Sequence, residues 1–354
     1  MNGHKQTRPV LGIVGCGNLF RRRLRLAAAR LLDENMICGV VGLDIHTDSD
    51  SLQDQFRNLG EYIRMEPNNR LPARQLKTLG CLILYIGSPS STHVTYAMQA
   101  TTIAWRVAIE KPLSIDVNEA ERLIDRHFEN LFPVDHYTVK DGMEHALRKA
   151  SEQKRLDADG FEFVLLEQDE VGDRDCDEAI FDTGCHGIAC LRALIRAAGH
   201  DSVWTVTRAI TGTYRESSGR RPRKTTAARI EGIVSFAGCP RPFVIKVGKA
   251  LDRDLKALAL YRNGQVIDKV SLNESGSNAH YLLLRRLIAA QDLTFPIDLG
   301  DSMAVVRTCD EARGKTQDYG YYEKGSLPPY LRGGIVSDNG VRRPSMWDRL
   351  VHML

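Results

Sequence analysis

Residues 9–32 read PVLGIVGCGNLFRRRLRLAAARLL, an apolar run joined through glycines to an Arg- and Ala-rich segment. An apolar run, Pro9–Val14, ends in Gly15-Cys16-Gly17-Asn18-Leu19-Phe20, and Arg21, Arg22 and Arg23 open a segment rich in Ala, Leu and Arg. The run reads as a buried strand and Leu24–Leu32 as a helix. Glycines at such a join let the backbone turn sharply and approach a pyrophosphate. The helix start then offers N–H groups and a partial positive charge. Gly15, Gly17, Asn18 and Leu19 are therefore expected to contact a dinucleotide. Phe20 stands where a third glycine is usual, so the motif takes its weight from its context.

Ile37–Leu43 (ICGVVGL), Leu82–Ile86 (LILYI) and Arg106–Ile109 (RVAI) are further buried strands, and Asn118–Phe128 has helical periodicity. Strands alternating with helices predict a parallel, Rossmann-like α/β unit. Asp44, at the end of the second strand, can accept hydrogen bonds from an adenosine ribose and repel a 2′-phosphate, which favours NAD. Arg22 and Arg23 leave NADP open, or are simply a solvated helix face. Ser88 and Pro89, just past the LILYI strand, join the expected coenzyme contacts, with Glu110 and Lys111.

Beyond residue 135 the pattern changes. Phe161–Glu167, Trp204–Thr213, Thr225–Phe236, Phe243–Val247, Ala257–Tyr261 and Val266–Leu272 are serial strand-like runs, several separated by turn residues such as Asn263-Gly264. They predict a mainly antiparallel sheet with helices on one face, the helices starting near Thr183 and Asn278. The expected division is a dinucleotide-binding domain over 1–134 and an α+β domain over 135–354 for substrate and oligomerisation. The tail from Tyr321 reads as irregular coil, and the basic run Arg220–Lys224 as a solvated loop.

Composition excludes several classes. The chain has 354 residues, 43% hydrophobic and 26% charged, a globular balance that fits two domains. Its 48 basic against 45 acidic residues give +3, no electrostatic case for nucleic acid or a membrane surface. No apolar run is long enough for a transmembrane helix. MNGHKQTRPV lacks the apolar core of an export signal, so a cytoplasmic location is expected. The eight cysteines, Cys16, Cys38, Cys81, Cys176, Cys185, Cys190, Cys239 and Cys309, form no CxxC pair, so reduced thiols and no metal site are expected.

Four polar clusters carry the candidate chemistry. Glu110-Lys111-Pro112 follows the fourth strand, where a Lys points into the ligand crevice of an open α/β sheet. Pro112 fixes the turn, at a position that admits a cis bond. Pro133–Lys140 packs Asp135, His136, Tyr137 and Lys140 together, and the His, Tyr and Lys are donors suited to a phosphate or sugar hydroxyls. Asp182 and His186 stand four apart at a helix start and share a face. Val247-Gly248-Lys249 ends a strand. A lone Lys here would more often be solvated, and a lone His a satisfied core residue; the four together motivate a site.

These stretches resemble glucose-6-phosphate dehydrogenase, in order and over most of the chain. GCGNLFRRRLR resembles its coenzyme loop. IEKPLSIDVNEAERL with FPVDHYTVKD resembles its EKP segment and DHYxxK substrate signature. RPFVIKVGKAL and YEKGSLPP before Trp347 resemble its later strand and tail. The resemblance implies His186 as general base, Asp135 as its carboxylate partner and Lys111 at the reacting centre. It implies His136, Tyr137 and Lys140 as a phosphate clamp, and Lys249, Asp182 and Glu167 as further substrate contacts. Thr138-Val139 and Gly184-Cys185 depart from that family's pattern, and no Arg follows the second strand. Lys111, Asp182 and His186 also resemble the Gfo/Idh/MocA oxidoreductases, which share the two-domain plan.

Three functions follow. The first is NAD(P)-dependent oxidation of a sugar phosphate, glucose 6-phosphate at C1. The second is a Gfo/Idh/MocA-type oxidation of another ring hydroxyl of a sugar, amino sugar or cyclitol. The third is a non-catalytic NAD-binding sensor. A small-molecule substrate, no nucleic-acid or membrane partner, and a homodimer or homotetramer are expected.

Overall fold

The computed structural model describes residues 8–45, 49–65, 68–168, 178–215, 225–274, 276–289 and 294–332. Arg220–Lys224, Cys176 and Trp347 lie outside the described residues. In chain order the first half runs β1 (Val10–Val14), α1 (Arg25–Asp33), β2 (Gly39–Asp44), α2 (Ser49–Phe56), β3 (Gly60–Arg64), α3 (Ala73–Lys77), β4 (Leu82–Ile86), α4 (Ser90–Ala100), β5 (Arg106–Glu110), α5 (Val117–Ile124) and β6 (Leu131–Val134). The second half runs α6 (Asp141–Gln153), β7 (Gly160–Leu166), α7 (Cys185–Ala197), β8 (Val203–Arg215), β9 (Ala227–Phe236), β10 (Cys239–Gly248), β11 (Leu255–Arg262), β12 (Gln265–Ser271), α8 (Gly276–Ala289), α9 (Leu299–Gly314) and β13 (Thr316–Glu323).

Two compact units result. One comprises residues 1–139 and 274–306, the other 140–273 and 307–354. The first is built on a six-stranded sheet of order β3-β2-β1-β4-β5-β6, parallel throughout. The strand order reverses between β1 and β4, the switch point at which such sheets open a ligand crevice. Side chains alternate across the sheet. Leu11, Ile13, Ile83 and Tyr85 pack in a core with α1 and α8, while Val14, Leu84 and Ile86 pack with α4 and α5 on the other face. Helix α8 is fixed to α1 by Tyr281, whose hydroxyl donates to Glu34 at 2.6 Å while Arg30 lies 3.6 Å above its ring.

The second unit holds a seven-stranded sheet of order β12-β11-β7-β10-β9-β8-β13. Pairings β7–β10 and β8–β13 are parallel and the other four antiparallel. Helix α7 lies close on one face because Gly187 has no side chain: a Cβ there would stand 2.8 Å from Phe163 and 2.9 Å from Ile245. On another core of the unit, Val164, Leu166, Tyr214 and Tyr322 are joined by Tyr330 and Leu331 of the Pro329–Leu331 turn.

The parallel unit and the mainly antiparallel sheet agree with the expectation, and three strands add to it. β3 (GEYIR) is a largely exposed edge strand, so it lacks a buried apolar run. β6 (LFPV) contains Pro133, which an edge strand tolerates. Tyr321–Glu323, expected in coil, end β13, a polar edge strand pairing with β8.

Candidate active site

The glycine turn is built at the switch point. Gly15 has φ +91°, and a Cβ there would lie 2.6 Å from the Ser88 Cα and 2.7 Å from its nitrogen. Only glycine lets the β1 turn meet the β4 turn so closely. At Gly17 a Cβ would project into open space. The first helical bond runs from Arg21 N–H to the Gly17 carbonyl at 3.1 Å. Asn18 Oδ1 accepts from Arg21 at 3.0 Å, and Arg22 is exposed. Phe20, in the third-glycine position, is fully buried and stacks on Phe56, centroids 4.5 Å apart. Room for Phe56 comes from Gly42 on β2, where a Cβ would run into its ring. The small residue this packing needs stands on the strand, not on the helix.

Asp44 is buried at the end of β2, and its Oδ2 accepts from the Cys16 main-chain N–H at 2.6 Å. Burial, with the Asp44 charge adding, pushes the Cys16 thiol far up, so it is no nucleophile. The same two causes push Tyr62 up to about 12. Ser88 accepts at its Oγ from Thr92 at 2.8 Å. His93, buried on α4, joins two turns: one ring nitrogen lies 2.7 Å from the Ser88 carbonyl and the other 2.8 Å from that of Pro112. Pro89 precedes α4, and the Lys111–Pro112 bond is cis. A glycine-sided opening at the switch point and an acid ending β2 fit a dinucleotide.

Glu110, ending β5, is buried in a polar cluster. Its Oε1 accepts from the Tyr85 hydroxyl and faces His280 Nε2 at 3.2 Å, and its Oε2 lies 3.3 Å from the Lys111 main-chain nitrogen. Burial pushes this carboxyl up, but the bonded His280 ring, the Lys111 charge and the Tyr85 hydroxyl outweigh it and hold the pKa at about 2. The His280 ring stacks on His136 with centroids 4.6 Å apart, and His136 Nε2 lies 3.2 Å from an Arg23 nitrogen. Asp135, also buried, shapes the turn after β6. Its Oδ1 accepts from the Tyr137 N–H at 2.9 Å, and its carbonyl accepts from the Thr138 hydroxyl at 2.7 Å. Tyr137 is buried with its ring against His136, centroids 4.5 Å apart.

In the second unit, buried Lys140 directly precedes α6 and its Nζ donates to the Leu272 carbonyl at 2.6 Å. A π-turn, Ile180–Gly184, carries Asp182 and leads into α7, whose second residue is the buried His186. Such one-turn bulges recur where a helix presents functional groups. Asp182 Oδ2 lies 2.7 Å from Lys249 Nζ, so these two site residues meet directly. Glu167 pairs with Lys256 instead, at 2.6 Å. His186 and Asp135 belong to different units. Sequence reading missed His93 and His280; neither stands in a recognisable motif, and His280 is 170 residues from its Glu110 partner.

The fold and the crevice define a dinucleotide-binding α/β protein with a second, sheet-based unit. Residues 10–130 match the Gfo/Idh/MocA model, described as an oxidoreductase family with an NAD-binding Rossmann fold. That stretch is accordingly an NAD-binding Rossmann fold. No curated protein matches the chain in sequence. Solved structures share the fold over most of the chain. GenD2 from gentamicin A biosynthesis, in complex with NAD, is 15% identical with TM-score 0.67, over 89% of this chain and 96% of its own. UDP-N-acetylglucosamine 3-dehydrogenase GnnA from Acidithiobacillus ferrooxidans is 16% identical with TM-score 0.62, over 87% and 97%. Glucose-6-phosphate 1-dehydrogenase from Mycobacterium avium is 15% identical with TM-score 0.64, over 92% and 96%.

Among the described residues, no helix is long and apolar enough to cross a membrane.

Proposed function

We propose that the protein is an NAD(P)-dependent dehydrogenase that oxidises a ring hydroxyl of a sugar, amino sugar or cyclitol. The observation that carries this reading is the Glu110-Lys111-Pro112 turn ending β5 of a sheet that matches the Gfo/Idh/MocA model. Solved structures with the same fold include a sugar-nucleotide 3-dehydrogenase and a 3-ketoreductase from Actinomadura kijaniata in complex with NADP. Gly15, Gly17, Asn18, Leu19, Asp44, Ser88 and Pro89 are assigned to coenzyme binding, with Arg22 at its edge. Bound there, NAD supplies the hydride acceptor.

His186 takes the hydroxyl proton, since an imidazole is a base near neutral pH. Asp135 is assigned as the carboxylate partner of the base, Lys111 contacts the reacting hydroxyl, and Asp182 with Lys249 holds neighbouring hydroxyls. A second reading has a sugar phosphate as substrate. It is supported by the Arg23 guanidinium, which lies against His136, and by the fold shared with glucose-6-phosphate 1-dehydrogenase. There His136, Tyr137 and Lys140 hold the phosphate, with Glu167 at the ring.

The test is reduction of NAD and NADP by the purified protein with free sugars, amino sugars, cyclitols, nucleotide sugars and sugar phosphates. Turnover without a phosphate monoester supports the first reading. A strict requirement for one replaces it with the second. Coenzyme binding with no turnover of any sugar would leave the sensor.

A further inference from the structure

We propose that His280 is a positioning residue for the Glu110-Lys111-Pro112 turn and for the His136 ring. The inference rests on the reading above, in which Lys111 contacts the reacting hydroxyl; His136 faces substrate in the sugar-phosphate reading. His280 comes from α8, which returns to the first unit 170 residues after Glu110, and its side chain is fully buried. It makes two contacts with site residues at once. Its Nε2 stands 3.2 Å from Glu110 Oε1, and its ring stacks on His136 at 4.6 Å with 28° between planes.

The chemistry fixes the direction of the first contact. Glu110, with its pKa at about 2, is a carboxylate at neutral pH and can only accept. Nε2 of His280 therefore carries the proton and donates. Tyr85 donates to the same oxygen. With Oε1 held from two sides, Oε2 faces the main-chain N–H of Lys111 at 3.3 Å. The ammonium of Lys111 thus leaves from a backbone point anchored by the carboxylate. On its other side the His280 ring limits how far His136 can rotate, and Arg23 at His136 Nε2 completes the clamp. α8 is itself held on α1 by Tyr281, the next residue.

Glu110, His136 and His280 also bring three metal-ligating atoms within 4.8 Å of one another. The Arg23 guanidinium at His136 and the charge of Lys111 beside Glu110 oppose a cation there, and the carboxylate oxygen is already an acceptor from two donors. The cluster is a hydrogen-bonded brace.

The test compares His280→Leu, which removes the donor, with His280→Gln, whose amide can restore it. Hydrogen exchange is followed in peptides covering 109–114 and 135–139. We expect at least tenfold faster exchange in both for His280→Leu, with the 109–114 peptide protected again in His280→Gln. With the sugar best used by the parent protein, His280→Leu should lower kcat at least tenfold with the NAD KM within twofold, and His280→Gln should recover most of it. Unchanged exchange in His280→Leu overturns the proposal, as does stoichiometric zinc in the purified protein. So does loss of activity in both variants alike with a lowered Tm, which marks a packing role. Lys111→Ala separates the two levels: if it turns over as the parent does, or if the parent turns over no sugar, the functional reading fails, while the exchange comparison still decides whether His280 holds the turn.

Discussion

The main-chain N–H of Cys16 donates to the Asp44 carboxylate across 2.6 Å, so the acid that ends β2 also ties down the glycine turn that ends β1. One residue thereby carries a structural and a selective role. On the proposed coenzyme assignment its charge stands beside the adenosine ribose and disfavours a 2′-phosphate. NAD is therefore expected to be preferred over NADP in kcat/KM. Asp44→Asn keeps an acceptor for Cys16 but removes the charge, and should narrow the NAD to NADP ratio with little change in Tm. Asp44→Ala leaves the buried Cys16 N–H without this acceptor and should cost about 1–3 kcal/mol of stability, measured by urea unfolding. A parent protein that prefers NADP would show that Arg22 dominates instead.

The two glycines of the turn should respond differently to the same methyl group. Gly15→Ala forces a Cβ into the Ser88 backbone at a left-handed φ and is expected to lower Tm sharply. Gly17→Ala places its methyl in open space, so Tm should hold. Its effect should fall on NADH affinity, roughly tenfold for ~1.4 kcal/mol of lost phosphate contact. NADH fluorescence titration reads it directly, and unchanged affinity would remove Gly17 from the coenzyme site.

Glu110 gives an acid-stability signature. Its carboxyl is held at about 2 against an ordinary 4.5. Between those values the unfolded chain binds a proton at this site that the folded protein does not, so stability rises with pH across the window. The contribution is complete above about 4.5 and is lost as pH falls toward 2. Glu110→Gln cannot titrate. Its unfolding free energy, followed in urea from pH 5 downward, should therefore fall less steeply than that of the parent. Parallel curves would show that Glu110 is not depressed.

Lys140 tests how far a motif predicts a role. As part of DHYxxK it is a candidate phosphate ligand, yet its buried ammonium donates to the Leu272 carbonyl at 2.6 Å within the second unit. Lys140→Met removes that donor and should cost about 1–3 kcal/mol in urea unfolding. A variant as stable as the parent, with a KM raised tenfold for a sugar phosphate and not for NAD, would return Lys140 to the substrate.

What was legible in the sequence was what is local. β1, its glycine turn and α1 are contiguous, and buried strands such as LILYI and RVAI announce themselves by unbroken apolar runs. β3 and β13 are edge strands whose polar residues meet solvent, so no such run marks them. The Lys249–Asp182 pair joins two segments that were each singled out, but their meeting depends on how β10 and the π-turn pack. The Glu110–His280 contact was beyond reach, because α8 returns to the first unit over a separation that periodicity does not encode. Phe20 shows the same limit in small: its tolerance in a glycine position is explained only by Gly42 on another strand.

Oxidising an alcohol requires a group that accepts the hydroxyl proton as the hydride leaves, and the candidates are His186 and Lys111. An ammonium at neutral pH is already protonated unless strongly desolvated, so Lys111 is suited to orient the hydroxyl rather than to take its proton. His186 has the right chemistry and stands buried at the start of α7, just past the π-turn that carries Asp182. His186→Asn preserves shape and loses the base, so kcat should fall by ~10²–10⁴ while NADH affinity holds. If Asp135 has its proposed role as the carboxylate partner of the base, Asp135→Asn should lose less, because the imidazole itself remains. Lys111→Ala should lower kcat and kcat/KM together, as expected for a contact made in the transition state. If His186→Asn keeps most of its turnover while Lys111→Ala abolishes it, the proton goes to a lysine held neutral, and the acid limb of kcat/KM should then survive the loss of His186.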